Sequence, residues 1–275
     1  MFNIITINDH DFKLLSDLIY SYSGITLTLQ KKPLLIGRLQ SSVKRLGFNN
    51  FKDYYSYILS DTSGTEISDL INCISTNHTY FYREEKHFEY LANIVLPEIT
   101  RKLRNEGLND LRIWCAGCSS GEEAYMIAMI LHEFYSKEYY AWNAGVLATD
   151  ISEKVLDQAR SGIYSQDNLK KLPIIFLKYF NKKGDQYVAS EKLKKEVTFR
   201  RFNLTNDYFP FKKAFDIIFC RNVMIYFDKT TRDQLINKFY DYLNPGGYLF
   251  ISHTESIGRD QHMFKYIQPA IYRRI

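Results

Sequence analysis

The chain has 275 residues, 45% hydrophobic and 16% aromatic, enough apolar surface for one large domain and a small one. No apolar run reaches the roughly 20 residues that span a bilayer, and the opening MFNIITINDHDF lacks the basic start and long apolar core of a secretion signal, so a cytoplasmic protein without membrane insertion is expected. Four cysteines, at 73, 115, 118 and 220, are too few and too unevenly spaced for a disulfide framework, and the net charge of +5 is modest.

The first 75 or so residues read as helices throughout. Phe12, Leu15, Ile19 and Tyr22 recur at helical spacing up to a stop near Gly24. Pro33 suits the first turn of a second helix ending by Gly47, Phe51, Tyr54, Tyr55 and Ile58 mark a third, and Thr65 to Ile74 a fourth. In the second helix Leu35, Leu39, Val43 and Leu46 form the apolar stripe, with Arg38 and Arg45 along its edge. No acidic residue occurs between Leu18 and Lys52, while Lys31, Lys32, Arg38, Lys44, Arg45 and Lys52 do, so an exposed basic ridge facing an anionic partner is expected. The alternative is an ordinary solvated helix face.

Residues 76–110 are expected to be a linker and a lid helix. Thr76, Asn77 and Thr79 can hydrogen-bond, Tyr80, Phe81 and Tyr82 are aromatic, and Arg83 closes the run, where a plain linker would carry Gly, Ser or Pro. A lid facing a cofactor is the expectation, with helix capping by Thr76 or Asn77 as the alternative.

The organising stretch is Leu111 to Leu131, LRIWCAGCSSGEEAYMIAMIL: an apolar strand, a turn of small residues and a helix with Ala124, Ile127, Ala128 and Leu131 on one face. Gly117 and Gly121 let a ligand approach the backbone, and the opening amides of the helix present its positive end. The G-x-x-x-G spacing is not the dinucleotide fingerprint, which disfavours pyrophosphate and points to a nucleoside such as that of S-adenosylmethionine. Cys115 and Cys118 form a C-x-x-C, but no further ligand pair completes a four-ligand site, so no metal is expected and small side chains at the turn explain them.

Ala144 to Ala148 reads as a second strand leading to Asp150, placed to accept from ribose hydroxyls; it lies 33 residues beyond Gly117, further than in the dinucleotide fold. Capping of the helix starting near Ser152 is the alternative. Alternation at Gln186–Ala189 and Val197–Arg201 suggests a small antiparallel insertion at about 180–200, followed by an edge strand ending in Asn203. FDIIFC, 215–220, has the continuous apolar character of a central parallel strand. A helix over 229–243 stops at Asn244-Pro245-Gly246-Gly247, a strand follows to His253, and a hairpin-like pair near 262–275 ends the sheet.

The segments TNHTYFYR, AGCSSGEEAY, ATDISEKVLDQARSGIY and FDIIFCRNVMIYFDKTTRDQLINKFYDYLNPGGYLFISHTES, in that order over most of 75–260, resemble the CheR family of chemotaxis-receptor glutamate methyltransferases. The run CRNVMIYFDK carries most of the specificity. The resemblance implies an α/β fold with a class I methyltransferase-like doubly wound sheet, mostly parallel with an antiparallel end strand, with a small antiparallel β insertion, behind an all-helical N-terminal domain (1–75), the catalytic domain covering 111–275. It implies methylation of receptor glutamates by S-adenosylmethionine, with S-adenosylhomocysteine as product. Asn77, Thr79, Arg83, Gly117, Glu123, Asp150, Asn203, Leu204, Arg221 and Asn222 would surround the cofactor, and Arg83 and Tyr226 would border the reacting centre. Acids in a first helical turn are also favoured by the macrodipole, which is the plain account of Glu122 and Glu123. Arg38 and Arg45 would guide docking on the cytoplasmic helical domain of chemoreceptors. The loop NKKGDQY is shorter and poorer in glycine than in relatives that grip a C-terminal receptor tether, so binding without the tether is expected. Two competing readings are a methyltransferase for nucleic acid or a small molecule, disfavoured because RNVMIY stands where an N-P-P-Y-like turn would hold an amine, and a non-catalytic adaptor that binds receptors.

Overall fold

The computed structural model describes residues 5–257 and 263–275. The backbone divides into two compact units, one taking the chain up to Thr76 together with Tyr226–Thr231, the other Asn77–Ile225 with Arg232–Ile275.

The smaller unit is helical: α1 (Asp9–Ser23), α2 (Lys32–Arg45), α3 (Phe51–Ser60) and α4 (Thr65–Ile74). Asn8 caps α1 through the Asp11 amide and Asn50 caps α3 through that of Asp53, while Gly24 ends α1 in the left-handed conformation. Phe12, Leu15, Ile19, Leu35, Leu39, Val43, Tyr54 and Leu70 are buried, so the apolar stripes read from the sequence make the core; Tyr22 is exposed. Ile25 bridges Phe227, and the Thr26 amide donates to the Tyr226 carbonyl.

The expected basic ridge is smaller than its sequence suggests. Arg38 is half-buried and its guanidinium ends α4, donating to the Ile74 carbonyl and to Thr76 Oγ1 at 2.7 Å. A helix C-terminus leaves carbonyls without partners, and an arginine fork supplies donors for them. Lys32 pairs with Asp9 at 2.7 Å. Lys44, Arg45 and Lys52 remain exposed.

In the larger unit α5 (Glu85–Tyr90) continues through a π-helical turn, Leu91–Val95, into α6 (Leu96–Asn105). Pro97 cannot donate to the preceding turn, and the wider turn before it absorbs that break. Then follow β1 (Ile113–Ala116), α7 (Glu122–Tyr135), β2 (Val146–Asp150), α8 (Glu153–Ser161), β3 (Ile163–Ser165), α9 (Gln166–Leu169), β4 (Phe180–Lys183), β5 (Gln186–Ala189), α10 (Glu191–Lys195), β6 (Val197–Arg201), β7 (Phe215–Phe219), α11 (Lys229–Tyr242), β8 (Leu243–Phe250), β9 (Phe264–Gln268) and β10 (Ile271–Arg274).

Seven strands make one sheet in the order β6-β2-β1-β7-β8-β10-β9, parallel from β6 to β8 and antiparallel at β10 and β9. This is the expected α/β architecture, with a second sheet, β3-β5-β4, as the small insertion. Two details differ from the sequence reading. Val197–Arg201 does not join the insertion but forms the parallel edge of the main sheet, and the insertion takes Ile163–Ser165 instead. Asn244–Gly247 belongs to β8, where a register shift beside Phe215 and Ile217 takes up the Pro-Gly-Gly run as an irregularity of the strand. Of the closing pair expected near 262–275, position 262 lies outside the described residues.

Side chains alternate along β1, so Ile113 and Cys115 join a core with Phe88, Leu91 and the buried face of α7, while Trp114 enters a separate aromatic cluster. There it meets Phe209 and Phe239 edge-on at 5.6 and 5.5 Å and donates from Nε1 to Thr149 Oγ1 at 2.9 Å. A strand buried on both faces makes a rigid base for the turn at its end.

Candidate active site

The connection after β1 passes to β2 on one side of it, and β7 lies on the other, so the carboxyl ends of β1 and β7 flank the point where strand order reverses. Open α/β sheets bind ligands there.

The turn after β1 is pinned to β2. The amides of Gly117 and Cys118 both donate to the Thr149 carbonyl (2.8 and 2.9 Å), and that of Ser119 donates to Asp150 Oδ2 at 2.9 Å. Asp150 Oδ1 accepts from the Ser152 amide at 3.0 Å, while the Ser152 side chain caps α8. Burial pushes the Asp150 carboxyl above its ordinary range, opposed by these amides. A carboxylate offers about four lone-pair sites, so the residue that braces the turn retains acceptor capacity for a diol. Gly117 has φ +88°, and a Cβ there would stand 2.3 Å from Val223 Cγ2 in the loop after β7. The turn is therefore a cradle shaped by the absence of a side chain, which fits a nucleoside laid against backbone.

On the other side stands Arg221, 5% exposed. Its Nη1 donates to Glu123 Oε2 at 2.6 Å, its Nη2 lies 3.2 Å from Glu84 Oε2 and donates to the Arg83 carbonyl, and its guanidinium carbon sits 5.3 Å from the centre of the Phe88 ring. Glu123 also accepts from Cys115 Sγ at 3.1 Å. Arg221 and Glu123 thus satisfy one another, and through Arg221 the first turn of α7 is tied to the segment before α5. That segment is strained, with φ +63° at Tyr82 and +56° at Glu84. Arg83 between them is half-buried, donates from Nη1 to the His78 carbonyl at 3.0 Å and lies over Tyr80 at 5.9 Å. His87 is 1% exposed, and burial, followed by the charge of Arg221, pushes its pKa down to about 3, so it is neutral at physiological pH.

Of the residues expected from the sequence, the structure joins Glu123, Arg221 and the Arg83 carbonyl directly, and brings the Asn77 carbonyl to the glycine turn, where it accepts from Ser119 Oγ at 3.0 Å. Asn222, at φ +60°, donates its amide to Glu255 Oε2 at 3.2 Å. Thr79 is half-buried. Asn203 and the buried Leu204 follow β6, Asn203 Oδ1 accepting from Thr205. Arg38, Arg45 and Tyr226 belong to the helical unit. Burial raises the thiol pKa of Cys115, Cys118 and Cys220 well above its ordinary value, which removes the thiolate that redox chemistry needs.

Sequence reasoning missed Ser119, Glu84 and Glu255. Glu255 accepts from the amides of Asn222, Ile225 and Ser252, so one carboxylate shapes the RNVMI loop. No local pattern marks it, because an acid after a strand is commonplace on a surface.

Comparison with known proteins gives two consecutive matches: residues 10–75 to the family described as CheR methyltransferase, all-alpha domain, and 77–272 to CheR methyltransferase, SAM binding domain. The chain is 45% identical over 276 residues to a chemotaxis protein methyltransferase of Borreliella burgdorferi, covering 99% of this chain and 97% of that one. It is 37% identical to chemotaxis protein methyltransferase 2 of Vibrio cholerae (95% and 91% covered) and 34% identical to the chemotaxis protein methyltransferase of Escherichia coli (98% and 92%). With both domains matched in order along nearly its whole length, the chain belongs to the CheR methyltransferase family, and its cofactor is S-adenosylmethionine.

Proposed function

We propose that this protein methylates glutamate side chains in the cytoplasmic helical domain of chemoreceptors, in the cytoplasm, forming glutamyl methyl esters and leaving S-adenosylhomocysteine. The observation that carries this reading is the match of both domains, helical and cofactor-binding, to proteins named chemotaxis methyltransferases. Gly117, Asp150, Asn203, Leu204 and Asn222, with Asn77 and Thr79 from the preceding segment, hold the cofactor. When bound, it supplies a sulfonium-activated methyl group that a carboxylate oxygen takes as the carbon–sulfur bond breaks, so anion and cation become neutral ester and thioether. A glutamate with an ordinary pKa near 4.3 is already ionised at neutral pH, so the chain has no proton to remove. Its contribution is orientation and exclusion of water.

Arg83 is assigned to the substrate carboxylate, because among the described residues its guanidinium donates one hydrogen bond, to a backbone carbonyl, which leaves the rest of its fork of donors available. Glu123 and Arg221 act through one another as positioning residues for the segment that carries Arg83. Tyr226 takes its role in orienting the methyl donor or substrate from the CRNVMIYFDK run alone. The test is transfer of labelled methyl groups to receptor cytoplasmic fragments. Label released as methanol by mild base supports the reading, and base-stable label in nucleic acid overturns it.

Arg83→Ala is expected to lower turnover by about 100-fold, the size of effect that misplacing a reacting group produces, while the free energy of unfolding stays within about 1 kcal/mol of wild type because the side chain is half exposed. Unchanged label transfer refutes the assignment.

Arg45, exposed on α2, is the cleaner probe of docking, since charge reversal at Arg38 also strips the end of α4 of its donors. Arg45→Glu is expected to weaken binding of an acidic receptor fragment by about three- to tenfold at low salt, with the difference shrinking as ionic strength rises. Binding isotherms at two salt concentrations check this.

A further inference from the structure

Glu84 and His87 are three residues apart across the start of α5, the spacing that places two ligand side chains on one side of a helical turn. His253, just past β8, brings its ring to 4.8 Å from that of His87. One donor atom from each of the three residues lies within 4.8 Å of the others. Both ring nitrogens of His87 are buried with no hydrogen-bond partner among the described residues, while Glu84 Oε2, also buried, stands 3.3 Å from His87 Nδ1 and 3.2 Å from Arg221 Nη2. An unpaired buried ring nitrogen is costly, and an ion that binds it is a direct remedy.

We propose that Glu84, His87 and His253 form a binding site for a divalent first-row transition ion of the zinc type. Two imidazoles and one carboxylate suit such an ion and not magnesium or calcium, which take oxygen ligands. His87 is buried, whereas His253 is exposed. Ligands at about 2.0–2.1 Å from zinc require their donors to close by roughly an ångström, which the His253 side chain supplies by rotation. The opposing influence is Arg221, whose Nη2 is 3.2 Å from Glu84. Glu123 offsets that charge at 2.6 Å, so the two carboxylates around one guanidinium leave a negative charge in surplus. A bound ion would fasten the strained turn at Tyr82 and Glu84 to the end of β8. This site does not depend on the identity of the methylated substrate.

The test uses full-length protein stripped with chelator and titrated with Co²⁺, read by absorption, and with Zn²⁺, read by calorimetry. Expected are one ion per chain, no competition from excess Mg²⁺, and affinity at least about tenfold weaker in His253→Ala, whose exposed side chain can be removed without opening the core, and in His87→Gln. If His87→Gln does not fold, His253→Ala decides alone. Absence of saturable binding, or wild-type affinity in His253→Ala, overturns the proposal.

Discussion

Gly117→Ala is expected to abolish useful cofactor binding while leaving a folded, less stable protein. Two costs fall on the same methyl group. An L residue at φ +88° sits in the left-handed half of backbone space, worth about 1–2 kcal/mol. The new Cβ also stands 2.3 Å from Val223 Cγ2, and overpacking of this kind costs about 1–3 kcal/mol. Neither wall yields easily: the glycine turn is held by the Thr149 carbonyl and Asp150, and the Val223 loop by Glu255. Relief therefore moves the turn against which the adenosine is proposed to lie. Affinity for S-adenosylhomocysteine is expected to fall by about 100-fold, equivalent to about 2.8 kcal/mol. Gly184→Ala is the control, since Gly184 also has positive φ, +58°, but nothing within 4 Å of its Cβ. It carries the backbone cost alone and leaves binding unchanged. Adding Val223→Ala to Gly117→Ala removes the clash and should restore part of the affinity, and a double-mutant cycle by calorimetry measures that coupling. Wild-type binding by Gly117→Ala would place the nucleoside elsewhere.

The legibility of this turn in the sequence, and the opacity of what surrounds it, have one cause. Periodicity reports what a residue does within its own element, so the four N-terminal helices, the Leu111–Leu131 unit and the apolar strand at 215–220 could all be read directly. Val197–Arg201 alternates because only one of its faces is buried, and that pattern is the same for a hairpin strand and for the edge of a parallel sheet. Ile163–Ser165 is too short to show any period. Partners far apart in sequence leave no trace at all. Arg38 reads as a free cation on a basic stripe because nothing near it in sequence announces the carbonyl of Ile74 that it satisfies. Arg221 and Glu123 were both readable as site residues from the resemblance, yet their pairing with each other, and the part taken by Glu84, appear only when β7 and α7 are brought together.

That pairing carries the second large effect. Arg221→Ala leaves the side chains of Glu123 and Glu84, 14% and 17% exposed, without their shared cation. Removing one partner of a buried ion pair costs about 3–5 kcal/mol, chiefly because the remaining charge is stranded. A loss of this size in the free energy of unfolding, read from denaturant titration, is expected, and Arg221→Met with Glu123→Gln should be less destabilised than Arg221→Ala, since it removes one stranded charge. Arg221→Lys should not rescue, because an ammonium cannot serve Glu123, Glu84 and the Arg83 carbonyl from one planar fork. The kinetic consequence separates positioning from simple loss of stability. Releasing the Arg83 carbonyl frees the strained Tyr82–Glu84 turn, so Arg83 loses its place and methyl transfer should slow by about 100-fold at temperatures where the variant is still folded. Combining Arg83→Ala with Arg221→Ala should then lower kcat no further than the worse single change, because both act on one guanidinium at one position. Multiplicative losses in the double variant would show that Arg221 acts on the reaction by another route.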